Sequence, residues 1–275
     1  MVLGILNVLS AVSLLFIAAV GLAVIFGVMG VVNLAHGEFI MLGAYASVIV
    51  VKLGLPVSVS LIVAPLAVGM IALLLEPIFF RYLYGRVMES ILATWGLSIV
   101  LRQAAQLIFG AGYQSVPYPT DATITVLTTQ ISFYRVLAIF LALVIGLGVL
   151  WIEKRTNLGT TARAVMSNAG LASTLGVNIG RIYAGTLVFG AALAGLAGAF
   201  LAPLTSAYPS MGLSFLTNSF FAVLVGGLGS LPGLAFASGM LGSTQQIVAI
   251  FIDPVWGSVA LVIVALILVR WRGTA

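Results

Sequence analysis

The sequence predicts an all-α integral membrane protein, a polytopic bundle of about eight or nine transmembrane helices, some of them short or broken. Hydrophobic residues make up 62% of the chain and charged residues only 6%, whereas a soluble domain carries about 25% charged residues. The mean hydropathy is +1.27. The 31 glycines indicate helices that pack closely in lipid, where small residues let backbones approach each other.

Nine apolar stretches come near the roughly 20 residues that a membrane-spanning helix needs. The predicted spans are 2–28, 37–51, 57–78, 91–108, 136–151, 183–203, 215–231, 234–252 and 255–269. No Lys or Arg precedes the first span, so we interpret it as a retained helix and not as a cleaved signal peptide. We predict one transmembrane domain over residues 1–275, embedded in the lipid bilayer.

The basic residues give this bundle an orientation. If the nine spans alternate in direction, eight of the 11 cations fall on one side. These cations are Arg81, Arg86, Lys154, Arg155, Arg163, Arg181, Arg270 and Arg272. That side is cytoplasmic by the positive-inside rule, and Lys52 and Arg135 are exceptions on the outer side. The net charge of +5 therefore marks cytoplasmic loops, and we expect no nucleic-acid partner.

Two stretches, 26–47 and 223–240, interrupt the hydrophobic pattern with glycine and polar residues. They contain Asn33, His36, Glu38, Gly227, Gly229 and Pro232. Broken helices at membrane depth need protein or water to satisfy their free backbone groups, and in transporters they flank the translocation path. These six residues are therefore candidates for gating or lining a path. The alternative is a pair of tight turns whose polar groups cap helices, with Glu38 solvated at the membrane surface.

The longest predicted cytoplasmic loop runs from about 153 to 182. Thr160 or Thr161 can cap a helix that starts near Ala162, and Gly176 fits a helix stop. We expect one or two short amphipathic helices, which either anchor to lipid or dock into a cytoplasmic partner. The small side chains that favour a protein cleft are Ala162, Ala164, Ala169, Gly170 and Ala172.

The sequence offers little to catalysis or cofactor binding. It has no Cys, and His36 is its one His, so no metal cluster of these residues can form. The glycine-rich run at 226–233 lacks the Gly-Lys-Ser/Thr of a phosphate-binding loop. We expect no catalytic residue, no metal and no cofactor bound by this chain. The rival classes are an intramembrane enzyme and an ion-coupled carrier. A carrier usually places a charged or polar site deep in the membrane, and the scarcity of buried carboxylates argues against it. Spans four to nine carry almost no charge, which is consistent with a pathway for small zwitterions or neutral amides.

Four motifs run along the chain. They are GVMGVVNLAHGEFIMLGAY at 27–45, LATWGLSIVLRQ at 92–103, RAVMSNAGLASTLGVNIGRI at 163–182 and AVLVGGLGSLPG at 222–233. In order and spacing they resemble the permease subunits of ABC importers for branched-chain amino acids, a family that also includes urea and short-amide permeases. The resemblance implies transport by alternating access, and both substrate classes stay open.

The same resemblance implies partners in a bacterial cytoplasmic (inner) membrane. They are a second, related permease, two cytoplasmic ATPase subunits that bind ATP and Mg²⁺, and an external substrate-binding protein. The residues that would form a coupling segment in an ATPase cleft are Arg163, Asn168, Ala172 and Gly176. The family often has a proline or a charged residue after this asparagine. Ala169–Gly170 stands there instead, which is expected to loosen the start of the second short helix.

Overall fold

The structure is a computed structural model that describes residues 2–119, 123–126, 129–227 and 229–272. In these residues it contains eleven α-helices and one two-stranded hairpin. The helices are α1 (Val2–Met29), α2 (His36–Lys52), α3 (Ser60–Ile78), α4 (Val87–Phe109), α5 (Phe133–Arg155), α6 (Asn157–Ser167), α7 (Ala169–Thr174), α8 (Ile179–Thr205), α9 (Met211–Gly226), α10 (Leu231–Phe251) and α11 (Pro254–Arg272). The antiparallel strands are β1 (Thr123–Val126) and β2 (Thr129–Ser132).

The all-α membrane fold is confirmed, and each of the nine predicted spans coincides with a helix. In the described part of the chain, seven helices are long and apolar enough to cross a membrane, namely α1, α3, α4, α5, α8, α10 and α11. The other two are shorter, with 17 residues in α2 and 16 in α9. The chain is therefore a multi-pass membrane protein with two short helices among its spans.

Helices α1, α2 and α8 form the centre of the bundle and touch at glycines. A Cβ on Gly21 of α1 would lie 2.4 Å from the carbonyl oxygen of Gly190 on α8. A Cβ on Gly198 of α8 would lie 1.8 Å from the carbonyl oxygen of Ile40 on α2. Real Cβ atoms essentially never approach within 3.0 Å, so these crossings require glycine. Helix α3 packs on α8, and α5 and α10 pack on α1.

One end of the bundle carries the loops in which the basic groups were predicted. The ring of Tyr84, just before α4, lies 4.8 Å from that of Tyr183 near the start of α8. The turn at Gly229, just before α10, lies against Gly27 near the end of α1. Helices α10 and α11 are packed neighbours joined by a short turn, so Arg270 near the end of α11 lies at this end too. We call it the basic end.

Helix α2 begins inside the bundle and not at its surface. The His36 ring donates a hydrogen bond from Nε2 to the carbonyl oxygen of Ala18 at 3.1 Å. Ala18 lies about 16 Å before the end of α1, at about 1.5 Å per residue. Residues 30–35 therefore turn back from the basic end into the interior before α2 starts.

Helix α9 also begins inside the bundle, but its chain enters from the opposite end. Gly212 in its first turn contacts Gly37 in the first turn of α2, although α8 has just run away from the basic end. The order of a long helix, an interruption and a short helix that starts inside the bundle thus occurs twice, in α1–α2 and in α8–α9. The two units run in opposite directions through the bundle. This is the arrangement of inverted repeats in transporters, whose broken helices meet near the middle of the membrane.

Replacing Gly198 by alanine is expected to destabilise the bundle, because the new Cβ would overlap the carbonyl oxygen of Ile40. Overpacking of this kind costs about 1–3 kcal/mol, which outweighs the roughly 1 kcal/mol that alanine gains over glycine in a helix. Thermal unfolding of the purified protein in detergent measures the effect. Gly148→Ala in α5 is the control, since a Cβ there would meet nothing within 4 Å; equal midpoints for the two variants would contradict the packing.

Candidate functional site

The interruption between α1 and α2 brings three predicted site residues into the interior. Asn33, His36 and Glu38 are each at most 1% exposed, so the alternative prediction of a solvated Glu38 is wrong. The side-chain oxygen of Asn33 accepts a hydrogen bond from the amide of Ala35 at 3.0 Å, which holds the turn before α2. His36 points to α1 and Glu38 to α4, as their spacing of two residues predicts.

A stripe of polar side chains on α4 faces this interruption. Ser90, Thr94, Ser98 and Arg102 recur every four residues and therefore share one face of the helix. The Thr94 hydroxyl accepts a hydrogen bond from the amide of Leu34 at 3.1 Å and lies 2.6 Å from the carbonyl oxygen of Ser90. Lipid offers no hydrogen-bond partner, so this polar stripe satisfies groups that the interruption leaves without a helical partner.

Glu38 lies between the polar stripe and the start of α9. Its Oε1 accepts a hydrogen bond from the Ser98 hydroxyl at 2.8 Å and lies 3.2 Å from Nη2 of Arg102. Its Oε2 is buried without a hydrogen-bond partner among the described residues, and a Cβ on Gly212 would lie 3.0 Å from it. The side chain of Arg102 is 24% exposed. One member of the pair is thus enclosed, and the other reaches the surface of the chain.

The first turns of α2 and α9 meet beside this carboxylate. A Cβ on Gly37 would lie 2.2 Å from the carbonyl oxygen of Gly212, so this contact also requires glycine. Neither helix has a side-chain cap at its start. Several of the first amides donate to backbone carbonyls of the preceding turn, and the helix start carries the positive end of the helix dipole. Two helix N-termini and Arg102 therefore surround one carboxylate and stabilise its negative charge.

Ser98, Arg102 and Gly212 are absent from the sequence-based predictions. Arg102 lies within α4 and is an exception to the near absence of charge that was expected in spans four to nine. The four-residue spacing of the polar stripe is the signal that could have revealed it. An ionisable residue in a membrane helix usually has a partner, and Glu38 was the available one. For Gly212 the sequence contains no such signal.

The glycine-rich run before α10 lies at the basic end, away from Glu38. Gly227 and Gly229 have φ angles of 89° and 76°, a region that favours glycine. The Ser230 hydroxyl accepts a hydrogen bond from the amide of Gly233 at 3.1 Å and caps α10. Pro232 lies in the first turn of that helix, where its missing N–H costs nothing. The run is therefore the capped turn that the sequence offered as an alternative.

The predicted cytoplasmic loop forms α6 and α7. Helix α6 begins at Asn157 because Thr156 caps it. The Thr156 hydroxyl accepts a hydrogen bond from the amide of Gly159, in the first turn, at 3.2 Å. The predicted cap at Thr160 or Thr161 is wrong, since these hydroxyls donate to backbone carbonyls one turn earlier in the helix.

Helix α7 has the ends that its sequence predicts. The side-chain oxygen of Asn168 accepts a hydrogen bond from the amide of Leu171 at 2.9 Å and caps the helix. Gly176, with a φ of 87°, follows its last turn. The Ala169–Gly170 pair was expected to loosen the start of α7, yet the helix begins at Ala169 directly after its cap.

The side chains of Arg163 and Ala172 contact their own chain. The Arg163 guanidinium donates to the carbonyl oxygen of Glu153 near the end of α5. Ala172 is 3% exposed, so the expected small face of the loop is not free at this position. The exposed apolar side chains here are instead Leu171 in α7 and Leu175 directly after it, at 59% and 78%.

Helix α6 contacts the bundle through the glycine turn. A Cβ on Gly229 would lie 2.9 Å from Cε of Met166 in α6 and 3.1 Å from Cα of Gly27 in α1. A cavity of about 290 Å³ lies beside this contact, lined mostly by apolar side chains of α1, α5, α6 and α8. The cavity therefore separates part of α6 from the helices of the bundle, while Met166 keeps α6 in contact with the glycine turn.

Comparison with known proteins identifies relatives along the chain. Residues 4–270 match the family model of the branched-chain amino acid transport system / permease component. The high-affinity branched-chain amino acid transport system permease protein BraD of Pseudomonas aeruginosa is 28% identical, over 82% of this chain and 79% of its own length. LivH of Escherichia coli K12, of the same description, is 27% identical over 86% of this chain and 82% of its own length. The probable branched-chain amino acid transport permease protein LivH of Methanocaldococcus jannaschii is 25% identical over 90% and 80%. No solved structure shows a significant match.

Replacing Thr94 by valine is expected to loosen the interruption before α2. The valine keeps the shape of threonine but leaves the amide of Leu34 without its acceptor, at a cost of about 1–3 kcal/mol. Hydrogen exchange over residues 30–35 should become at least about fivefold faster. Thr94→Ser, which keeps the hydroxyl, should exchange like the unmodified protein. Equal rates in the valine variant would show that this hydrogen bond does not hold the interruption.

Proposed function

Because this chain belongs to the permease family of branched-chain amino acid transport systems, we propose that it forms the translocation path of an ATP-binding cassette importer for branched-chain amino acids. It is a permease subunit, not an enzyme. The observation that carries the proposal is the family match over residues 4–270. This range extends from the first turn of α1 to the last turn of α11. The names of the relatives, which specify branched-chain amino acids, support this substrate over urea or a short amide.

The proposed importer contains four further subunits in a bacterial cytoplasmic membrane. A second, related permease completes the path, and an external binding protein delivers the substrate. Two cytoplasmic ATPases bind ATP and Mg²⁺, so this chain needs no cofactor of its own. The exposed apolar residues Leu171 and Leu175 support a protein contact at the basic end, because a patch of this kind is typical of an interaction surface.

In this proposal the four predicted coupling residues shape the contact surface. Arg163 ties α6 to the end of α5. Asn168 and Gly176 define the two ends of α7, and Ala172 packs that helix against its own chain. The exposed side chains of Leu171 in α7 and of Leu175 just after it are then held in a fixed direction, toward the ATPase.

Movement of α6 would reach the path through the contact of Met166 with Gly229 and of Gly229 with Gly27. When the ATPases bind ATP and close, they shift α6 and α7, and the neighbouring cavity accommodates the shift. Helix α1 ends two residues after Gly27 and leads directly into the interruption. A displacement at the basic end is therefore transmitted to the start of α2, where Glu38 lies, and the path opens alternately to the two sides.

The predicted gating residues take different roles in this mechanism. Glu38, with its partner on α4, is the candidate for lining the path. Asn33 and His36 hold the interruption in place through their hydrogen bonds to the backbone. Gly227, Gly229 and Pro232 act at the basic end, where they form the turn that transmits the movement.

One observation favours a second function. Glu38 is a buried carboxylate within the bundle, and ion-coupled carriers use such groups to bind a proton or Na⁺. A carrier of this kind would work without ATPase partners. The pairing of Glu38 with Arg102 at 3.2 Å argues for the importer, because a single cation bound to Glu38 would leave the charge of Arg102 without its partner.

Reconstitution into proteoliposomes tests the proposed function. The chain together with a second permease, two ATPases and a binding protein should take up labelled leucine only when ATP is supplied. Labelled urea, tested in parallel, should not enter. Uptake by this chain alone along an ion gradient would replace the importer by a carrier, and uptake of urea in place of leucine would overturn the substrate.

Replacing both Leu171 and Leu175 by aspartate is expected to uncouple transport from ATP hydrolysis. The substitution puts charge into an apolar contact but disturbs no buried side chain, since both residues are exposed. Leucine uptake should fall by at least about tenfold, the equivalent of roughly 1.4 kcal/mol of lost contact, and the ATPases should co-purify less well. The control is Leu53→Asp, 70% exposed at the opposite end of the bundle. Unchanged uptake by the double variant would exclude α7 as the contact.

A further inference from the structure

We infer that the Glu38–Arg102 pair is a transient binding site for the two charged groups of a zwitterionic α-amino acid as it crosses the membrane. The inference rests on the proposed function and adds to it the two residues that contact the charged groups of the substrate. The molecule that fits carries one ammonium and one carboxylate group, and neutral amides lack both.

The carboxylate of Glu38 has capacity for one further donor. Its Oε1 is occupied by Ser98 and Arg102. Its Oε2 has no hydrogen-bond partner among the described residues, although the residue is only 1% exposed. A buried polar atom is costly unless it is paired. An ammonium group supplies three donors on one compact charge, and its charge has the sign that a carboxylate binds.

Arg102 supplies the matching site for an anion. The guanidinium has five donors in a planar fork that fits a carboxylate with two parallel hydrogen bonds. In the described residues its recorded bonds go to Glu38 Oε1 and the Ser98 hydroxyl. The side chain lies on α4 about 10 Å before the end of that helix, at about 1.5 Å per residue, and is 24% exposed. A charge at this depth does not face lipid without a large cost, so its exposed part faces a water-filled path or the second permease.

The helix N-termini stabilise the Glu38 side of the pair. The first turns of α2 and α9 meet at Gly37 and Gly212, and neither has a side-chain cap. Their positive dipole ends favour the negative charge of the Glu38 carboxylate, which lies beside Gly212. The unpartnered buried oxygen of Glu38 and the partly exposed guanidinium of Arg102 then together indicate a ligand that carries both an ammonium and a carboxylate group.

Charge balance explains why a zwitterion is selected. Without substrate, the two side chains neutralise each other. A zwitterion between them binds Glu38 with its ammonium and Arg102 with its carboxylate, so four alternating charges sum to zero. A neutral amide compensates neither charge when the pair separates, and a simple cation or anion leaves one buried charge unpaired, which is unfavourable. Molecules that lack the ammonium or the carboxylate group therefore do not separate the two side chains of the pair.

The first experiment measures leucine uptake by the assembled importer with variants of the pair. Glu38→Gln and Arg102→Gln should each lower uptake at least tenfold. The matched controls remove one charge from the same two helices outside the pair: Lys52→Gln on α2 and Glu89→Gln on α4 should transport like the unmodified chain. If the unmodified importer takes up leucine and the two pair variants do so equally well, the inference is overturned while the proposed function stands. If the unmodified importer does not take up leucine at all, the proposed function fails first.

The second experiment needs no variant, so it does not depend on whether a variant folds. Saturation-transfer NMR on the permease–ATPase complex, without the binding protein, detects weak contacts with small molecules. Leucine should give a signal that excess leucine displaces. Leucinamide, which lacks the carboxylate, 4-methylpentanoate, which lacks the ammonium, and the neutral 4-methylpentanamide should displace it at least tenfold less well. Equal displacement by the neutral amide would overturn the inference, because both charges would then be dispensable.

Discussion

Backbone contact between helices at glycine sets the dimensions of this bundle. In lipid, helices gain nothing by burying apolar side chains against each other, so van der Waals contact between close backbones holds them together. The crossings of α1 with α8 at Gly21 and Gly190, and of α2 with α9 at Gly37 and Gly212, leave no space for a Cβ. At such spacing there is no layer of side chains or water between the central helices. Any polar group that the chain brings inside must therefore find its partner in the protein.

The polar stripe of α4 supplies those partners, and its interactions differ in strength. A single hydrogen bond between membrane helices is worth about 0.6–2 kcal/mol, whereas breaking a buried ion pair by removing one member costs about 3–5 kcal/mol. The pair of Glu38 and Arg102 therefore outweighs the bonds of Thr94 in positioning α4. Since α4 packs mainly against α2 within its own chain, its position depends on the state of this pair. That dependence makes the pair suited to a conformational switch.

The sequence predicts what depends on local pattern and misses what depends on distant contacts. Hydropathy placed all nine bundle helices, and Asn168 and Gly176 marked the ends of α7 as capping chemistry requires. Three threonines compete to cap α6, and only the position where α5 ends decides for Thr156. Arg102 was not predicted as a site residue because its partner Glu38 lies 64 residues away. The four-residue spacing of the polar stripe marks a face of α4 but does not identify that partner. Position 212 requires glycine because the backbone of Gly37 lies against it, and no local sequence pattern encodes that contact.

The separation of Glu38 and Arg102 along the chain also has a consequence for biosynthesis. The arginine is made 64 residues after the glutamate, which at about 5–20 residues per second is a delay of roughly 3–13 s. During this interval the carboxylate has no counter-charge, and a bare charge in the hydrocarbon core is costly. Until α4 emerges, the free energy of the start of α2 is lowest in an aqueous or interfacial compartment of the insertion machinery, or with its carboxyl group protonated. Helices α2 and α4 then enter the bilayer as a group, so this topology favours insertion by sets of helices over insertion one helix at a time.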